Sequence, residues 1–406
     1  MDPRTRLPVV GMIGGGQLAR MTHQAAIALG QSLRVLAVNP DEPVGLVAPD
    51  VLLGGPDDTA ALTDFVGGCD VVTFDHEGVP AEPLASVAAA VAVPVRPAAG
   101  ALLHARDKLV MRERLSALGV PCPPFRAVEA LSDVVDFGAG HGWPVVLKAR
   151  RGGYDGRGVW MLDGPDAAAE QLPELLASGT PLLVEQRVRM RRELAAMVAR
   201  SPFGQGAAWP VVETVQRDGI CVQVIAPARG LPADRAEAAE RLALRIAAEL
   251  DVVGLLAVEL FELDGPGPDG SGLLVNELAM RPHNSGHWTI EGSVTSQFEQ
   301  HLRAVLDYPL GDTRTRAPVT VMANVLGGDP VPEMGVDERL HHLFARFPDV
   351  KVHLYGKGER PGRKIGHVTV LGAVHGDAEA DAVVRRAALA ADWLSTARWP
   401  DGWEVH

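Results

Sequence analysis

Val275-Asn276-Glu277-Leu278-Ala279-Met280-Arg281-Pro282-His283-Asn284-Ser285-Gly286-His287-Trp288 begins as an apolar strand and ends as a run of cations, amides and imidazoles. Upstream, residues 255–263 alternate with period two, which puts Ala257, Glu259 and Phe261 on one face of a strand. The same alternation over residues 273–278 puts Val275 and Glu277 on one face. Between them Asp264-Gly265-Pro266-Gly267-Pro268-Asp269-Gly270-Ser271 is turn chemistry, so the two strands are expected to form a hairpin. Neighbouring strands lie about 5 Å apart, so Glu259 and Glu277 would face each other closely enough to hold Mg²⁺, or Mn²⁺, between them and nucleotide phosphates. Either glutamate alone reads equally well as a solvated strand position. The following Asn276, Arg281, His283 and Asn284 turn the reading towards a site.

Composition narrows the class. A chain of 406 residues has room for two or three domains. Its net charge of -13 argues against non-specific nucleic-acid binding, so an anionic ligand would need local Arg and Lys clusters. Cys69, Cys122 and Cys221 are odd in number, far apart and outside metal-ligand spacing, which predicts a reducing compartment and no disulfide. Residues 7–13 form an apolar run that glycines stop too early for a signal peptide or membrane span. The expectation is a cytoplasmic protein with no membrane and no nucleic-acid partner.

Working outward from the hairpin, residues 7–13, 33–38, 51–53, 71–74 and 93–96 are apolar runs separated by helical segments, the pattern of a parallel sheet wrapped by helices. A helix is expected over 105–117, and the Pro-rich stretch 119–124 marks a boundary. Short strands at 144–149, 159–162, 181–186 and 193–200 suggest a mostly antiparallel α+β unit. A third segment begins near Arg316, with strands at 318–325, 352–355 and 366–371 and a closing helix over about 377–394. The expected division is therefore 1–104, 105–315 with a flap-bearing part at about 120–188, and 316–406.

Four further stretches carry chemistry. Gly14-Gly15-Gly16-Gln17-Leu18 follows a strand and opens a helix, so its backbone N–H groups are placed to hold an anion, although a tight turn needing glycine explains it as well. A dinucleotide would want an acidic residue directly after the second strand, where Asn39-Pro40 stands, so NAD is disfavoured. Lys148 ends a strand before Gly152-Gly153-Tyr154-Asp155-Gly156-Arg157-Gly158, a glycine-rich flap able to close over phosphates; a plain hairpin is the alternative. Glu185-Gln186-Arg187-Val188 joins a strand to a connector where a flat base could meet backbone groups and Glu185 could accept from an exocyclic amine. Glu193 could accept ribose hydroxyls or form a salt bridge with Arg191 or Arg192. Lys357, Arg360, Arg363 and Lys364 gather around glycines in a loop that suits phosphate or bicarbonate, against the plainer view of a solvated charge run.

Taken together these motifs resemble the N5-carboxyaminoimidazole ribonucleotide synthetase family of ATP-grasp enzymes. The likeness rests on Gly14 to Leu18, Gly153 to Gly158, Asn276-Glu277, His283 to Trp288 and Tyr355-Gly356-Lys357 with Arg360 to Lys364, and it spans nearly the whole chain. It implies an α/β and α+β ATP-grasp architecture: a Rossmann-like pre-ATP-grasp domain, a central core, a small β-rich carboxy-terminal domain and a homodimer. It also implies ATP, bicarbonate and 5-aminoimidazole ribonucleotide as substrates, in purine biosynthesis. Carried over, ATP falls to Lys108, Lys148, Gly153, Tyr154, Asp155, Gly156, Arg157, Gly158, Glu185, Gln186, Val188, Glu193, Gln216, Asn276 and Glu277, and Mg²⁺ to Glu259 and Glu277. The ribonucleotide and bicarbonate fall to Gln17, Leu18, Glu77, Tyr154, Asn284, Ser285, Arg360, Arg363 and Lys364. Asp155, Arg157, Arg281, His283 and Lys357 are the implied catalytic groups.

Two departures stand out. Asp75-His76-Glu77-Gly78-Val79 replaces the family's common Phe-Glu-Asn-Val, and Gln216 sits where histidine is frequent. Rival readings are another ATP-grasp ligase or formyltransferase acting on a different ribonucleotide amine, a decayed nucleotide sensor and an NAD dehydrogenase.

Overall fold

Four parallel strands, β1 (Val9–Ile13), β2 (Ser32–Ala37), β3 (Asp50–Leu53) and β4 (Val71–Phe74), form the first sheet in the order β3-β2-β1-β4. They belong to a computed structural model that describes residues 1–153, 156–373 and 375–403. Both faces of this sheet are covered: Val10, Met12 and Val35 pack into one apolar cluster, Ile13, Leu36 and Phe74 into another, as continuous apolar runs require. The expected fifth strand at 93–96 does not form. Only an isolated bridge joins Val95 to Val72, because Pro94 and Pro97 deprive that segment of ladder donors.

The helix expected over 105–117 is broken in two, Leu103–Arg106 and Lys108–Ala117. Asp107, fully buried and extended at φ -119°, ψ 109°, accepts from the N–H groups of Leu109 and Val110 and so starts a new helix. Its carboxylate also receives Arg150 at 2.9 Å and Arg151 at 2.8 Å, tying the helix start to the base of the flap. Lys108 thereby becomes the first residue of a helix.

The second sheet, β5 (Phe125–Val128), β6 (Val145–Ala149), β7 (Val159–Leu162) and β8 (Leu182–Gln186), is antiparallel in the order β5-β8-β6-β7. The third contains β9 (Arg192–Arg200), β10 (Gly206–Ala208), β11 (Val212–Arg217), β12 (Ile220–Ala226), β13 (Gly254–Glu262), β14 (Leu273–Ala279), β15 (Val319–Leu326), β16 (Lys351–Leu354) and β17 (Lys364–Gly372). Its order is β14-β13-β9-β11-β12-β15-β17-β16, with β10 on β9. β12 pairs with β15 from Gln223–Ala323 to Ala226–Thr320, so the hydrogen-bonded sheet runs without a break past residue 316. Helix Asp377–Thr396 packs on β15 and β17 through Val383, Ala387, Ala390 and Leu394.

β13 and β14 form the expected hairpin with Glu259 directly opposite Glu277. One detail of the expected alternation is corrected. The register shifts between Glu259 and Leu260, whose partners are Glu277 and Val275, so Asn276 is an extra residue in β14. Val275 is fully buried in the core, whereas Asn276 and Glu277 are both half-buried next to Glu259 and Lys108. The bulge turns two consecutive polar side chains to the same region, which regular pleating forbids.

Candidate functional site

A cavity of about 1280 Å³ is lined by residues running from Gln17 after the first strand to Lys364 at the start of β17. On one side β13 and β14 supply Glu259 and Glu277, and the helix start beyond Asp107 supplies Lys108, whose ammonium pairs with Glu277. Burial lowers the Lys108 pKa to about 8, helped by the Lys148 charge beside it. Burial likewise raises Glu259, against the pull of Lys108, Lys364, Lys148 and Arg281. Asn276 links the two lysines' surroundings: its Oδ1 accepts from Lys148 Nζ at 3.3 Å and its Nδ2 lies 3.5 Å from Glu259 Oε2.

Behind this pole sits a buried ion network. Glu185, 2% exposed, receives Arg112 Nε and Lys148 Nζ at 2.7 Å each. Burial pushes its pKa up, but Lys148 and Arg112 prevail and hold it at about 2. Each of its oxygens receives one cation, so the side chain positions Lys148. Glu193 forms neither expected salt bridge, since Arg192 turns to Glu213 and Glu262. Gln216 hydrogen-bonds to the Glu193 carboxyl, whose pKa burial and the nearby Glu259 charge raise to about 7.

The strand-to-helix link past β14 brings Arg281, His283 and Asn284 to the cavity. Arg281 Nε pairs with Glu77 Oε1 at 2.8 Å. His283 Nε2 stands 3.3 Å from Glu259 Oε1, while its Nδ1 accepts from the Ser285 N–H at 3.3 Å and lies 2.8 Å from Ser285 Oγ. With Nδ1 accepting, the ring proton sits on Nε2 and faces Glu259. Burial, then Arg281 and Lys364, lower the His283 pKa to about 3, so the ring is neutral. Ser285 is 3% exposed and does not line the cavity; the expected substrate contact becomes orientation of His283.

Opposite stand the loops. Lys357, Arg360, Arg363 and Lys364 line the cavity with Gly153 and Arg157 of the flap. Lys357 pairs with Gln17 Oε1, and Gly356, at φ +73°, packs against Leu46, so the basic loop is seated on the first unit. Gln17, Leu18 and Glu77 complete that wall. The glycine turn itself is corrected as an anion site. Gly15 N–H donates to Glu42 Oε2 at 2.8 Å, and the Gly16 N–H serves the buried Asp75 carboxyl, so the chain's own acids occupy those donors.

Lys148, Gly156, Gly158, Glu185, Glu193, Gln216 and Asn276 stand behind the lining rather than in it, and Tyr154 and Asp155 lie outside the described residues. Gln186 and Val188 border a second cavity of about 540 Å³ with Trp143 and Leu274. Sequence reasoning missed Asp107, Arg112, His76 and Gln297. Of these His76 lines the main cavity and was noticed only as a departure. Asp107 and Arg112 lay inside an apparent helical run with nothing local to mark their distant partners.

Three families account for most of the chain. Residues 7–106 match the ribonucleotide synthetase preATP-grasp domain, 113–298 the ATP-grasp domain and 320–381 the phosphoribosylaminoimidazole carboxylase C-terminal domain. The fold and site thus define an ATP-grasp enzyme built on a preATP-grasp unit. N5-carboxyaminoimidazole ribonucleotide synthase of Mycobacterium tuberculosis is 61% identical over 399 residues, covering 98% of this chain and 90% of that one. The enzyme of the same name from Corynebacterium ammoniagenes is 49% identical, covering 98% and 95%. Among solved structures, Aspergillus clavatus N5-carboxyaminoimidazole synthase with ADP and 5-aminoimidazole ribonucleotide superposes with TM-score 0.83 at 32% identity, covering 95% and 98%. The chain belongs to the N5-carboxyaminoimidazole ribonucleotide synthase family.

Proposed function

We propose that this protein carboxylates 5-aminoimidazole ribonucleotide with bicarbonate at the expense of ATP, giving N5-carboxyaminoimidazole ribonucleotide, ADP and phosphate. The observation that carries the reading is the single cavity with Glu259, Glu277 and Lys108 on one wall and Lys357, Arg360 and Arg363 on the other. Two facing carboxylates, one with its pKa raised by burial, offer hard oxygen donors that fit Mg²⁺. Among the described residues no group of three or more His, Cys, Asp or Glu is placed to hold a metal, so Glu259 and Glu277 would share it with nucleotide phosphates. When bound it would neutralise charge developing on the transferred phosphoryl group.

The chain's own residues do the rest. Lys148, held by Glu185, and Lys108 reach towards the phosphates, while Glu193 accepts from the ribose. A bicarbonate oxygen attacks the γ-phosphorus, ADP leaves, and the amine then attacks the carbonyl carbon of carboxyphosphate, expelling phosphate. Arg281 and Lys357 hold carbonate oxygens, Asp155 is the candidate to take the amine proton, and the flap excludes water from the labile intermediate. Neutral His283 donates from Nε2 and cannot serve as a cation there. A homodimer, testable by light scattering, and cytoplasmic residence are inferred from the family and from Cys69, Cys122 and Cys221, which form no disulfide among the described residues. Among the described residues no helix is long and apolar enough to cross a membrane.

The deciding experiment is ADP release with Mg·ATP and bicarbonate, with and without 5-aminoimidazole ribonucleotide. Strong dependence on that nucleotide is expected. ADP release indifferent to it would move the activity to another amine or carboxylate acceptor.

A further inference from the structure

Gln297 is fully buried, at the first position of helix Gln297–Val305, and its side-chain amide makes three hydrogen bonds, all to the site segment. Oε1 accepts from the His283 N–H at 2.8 Å, Nε2 donates to the His283 carbonyl at 2.8 Å, and Nε2 also meets His287 Nδ1 at 2.9 Å. The pairing with both polar groups of one backbone residue fixes which end of the amide is oxygen. There is no slack around it: a Cβ on Gly286 would lie 2.5 Å from Gln297 Oε1. The Gln297 N–H donates to Thr289 Oγ1 at 2.8 Å, which in turn donates to the Gly286 carbonyl at 2.6 Å.

His287 carries the contact onward. With Nδ1 accepting from Gln297, its proton sits on Nε2, which has no partner among the described residues. Its ring lies 5.0 Å from that of His367, which stacks at 4.6 Å on His353 and meets the Tyr355 hydroxyl through Nδ1 at 2.8 Å. Tyr355 is fully buried two residues before Lys357. One end of this chain of contacts is thus His283 beside Glu259, and the other is the root of the basic loop.

We propose that Gln297 is a positioning residue for carboxylation: it fixes His283 against Glu259 and, through His287, His367 and Tyr355, sets the distance from the metal-binding pair to Lys357. The inference rests on the activity proposed above. A buried glutamine that merely fills the core would affect stability alone. A spacing device would affect how well phosphoryl transfer is coupled to capture of its product.

The test uses the full chain with Gln297→Met, close in size but without hydrogen bonds, and Gln297→Glu, which keeps the acceptor for the His283 N–H and loses the donors. The readouts are kcat, KM for ATP, ADP released per carboxylated product, and the thermal midpoint. Gln297→Met is expected to lower kcat by about tenfold to a hundredfold, the usual cost of misplacing a reacting group, with KM for ATP within about twofold. ADP per product should rise above one, and Gln297→Glu should fall between. Unchanged kcat and coupling in a folded variant, or loss confined to the thermal midpoint, would overturn the proposal. The wild-type dependence on 5-aminoimidazole ribonucleotide separately decides the activity. Should the wild type lack it, or Gln297→Met not fold, ¹⁵N spectra of the imidazoles in wild type and Gln297→Glu decide: loss of the single His287 tautomer supports the clamp, and identical spectra refute it.

Discussion

The two walls of the cavity are built differently. Its acidic wall is carried on a nine-stranded sheet, where Glu259 and Glu277 are locked opposite each other by register and a bulge. Its basic wall is carried on loops, where Lys357, Arg360 and Arg363 stand among glycines and are steadied by Gln17 and Leu46 of another unit. The difference teaches that the paired carboxylates are fixed by rigid strands, whereas the cations facing them stand where the chain can adjust.

The sharpest way to break that contrast is Glu277→Gln. Loss of one carboxylate from the pair should reduce kcat for ADP release by on the order of a hundredfold to a thousandfold, the scale of losing one group that stabilises developing charge. Retained ATP turnover would sink the metal assignment. Lys357→Ala on the other wall should cost less: about tenfold to a hundredfold in kcat/KM for the ribonucleotide or bicarbonate, the worth of a charge-assisted hydrogen bond. Steady-state kinetics in each substrate check this, and a larger loss from Lys357 than from Glu277 would reverse the comparison.

Much of the acidic wall was legible because strand alternation is short-range and strict: Glu259 opposite Glu277 follows from period two and a turn-rich linker. The bulge at Asn276 was not, since an extra residue leaves the apolar pattern of Leu273 to Val275 unchanged. Asp107 was hidden for another reason. An aspartate inside a helical run becomes a cap only when Arg150 and Arg151 arrive from the flap, more than forty residues away. The glycine turn was read correctly as a turn and incompletely as a site, because Glu42 and Asp75, which fill its donors, are remote in sequence. Gln297 is the extreme case, an ordinary helix residue until His283 and His287 fold against it.

A smaller effect comes from Glu193, whose pKa of about 7 places its titration within the working range. On the proposed ribose role only the ionised form accepts from both hydroxyls, so KM for ATP should rise several-fold as pH falls through about 7. Glu193→Gln should raise KM and flatten that dependence. A pH profile unchanged in the variant would remove Glu193 from the ribose.

The smallest expected effects compare two glycines, one in the exposed flap and one in the packed strand-to-helix turn of the first sheet. Gly156 in the flap has φ +76°, and an added Cβ would lie 3.2 Å from Gly219 Cα and 3.4 Å from the Asp218 carbonyl oxygen. An L-residue there costs about 1–2 kcal/mol in the seated conformation. The flap can relinquish that conformation without disturbing a core, so Gly156→Ala should raise KM for ATP by about tenfold or less and leave the thermal midpoint nearly unchanged. Gly16 has an extended backbone and no φ penalty, but a Cβ there would lie 2.3 Å from Asp75 Oδ2, a buried neighbour. Gly16→Ala should therefore lower the thermal midpoint measurably, since nothing around Asp75 can move aside cheaply. Equal losses of stability in the two variants would mean the flap is as firmly packed as the turn, and the contrast between packed and adjustable parts of the cavity's surround would fail.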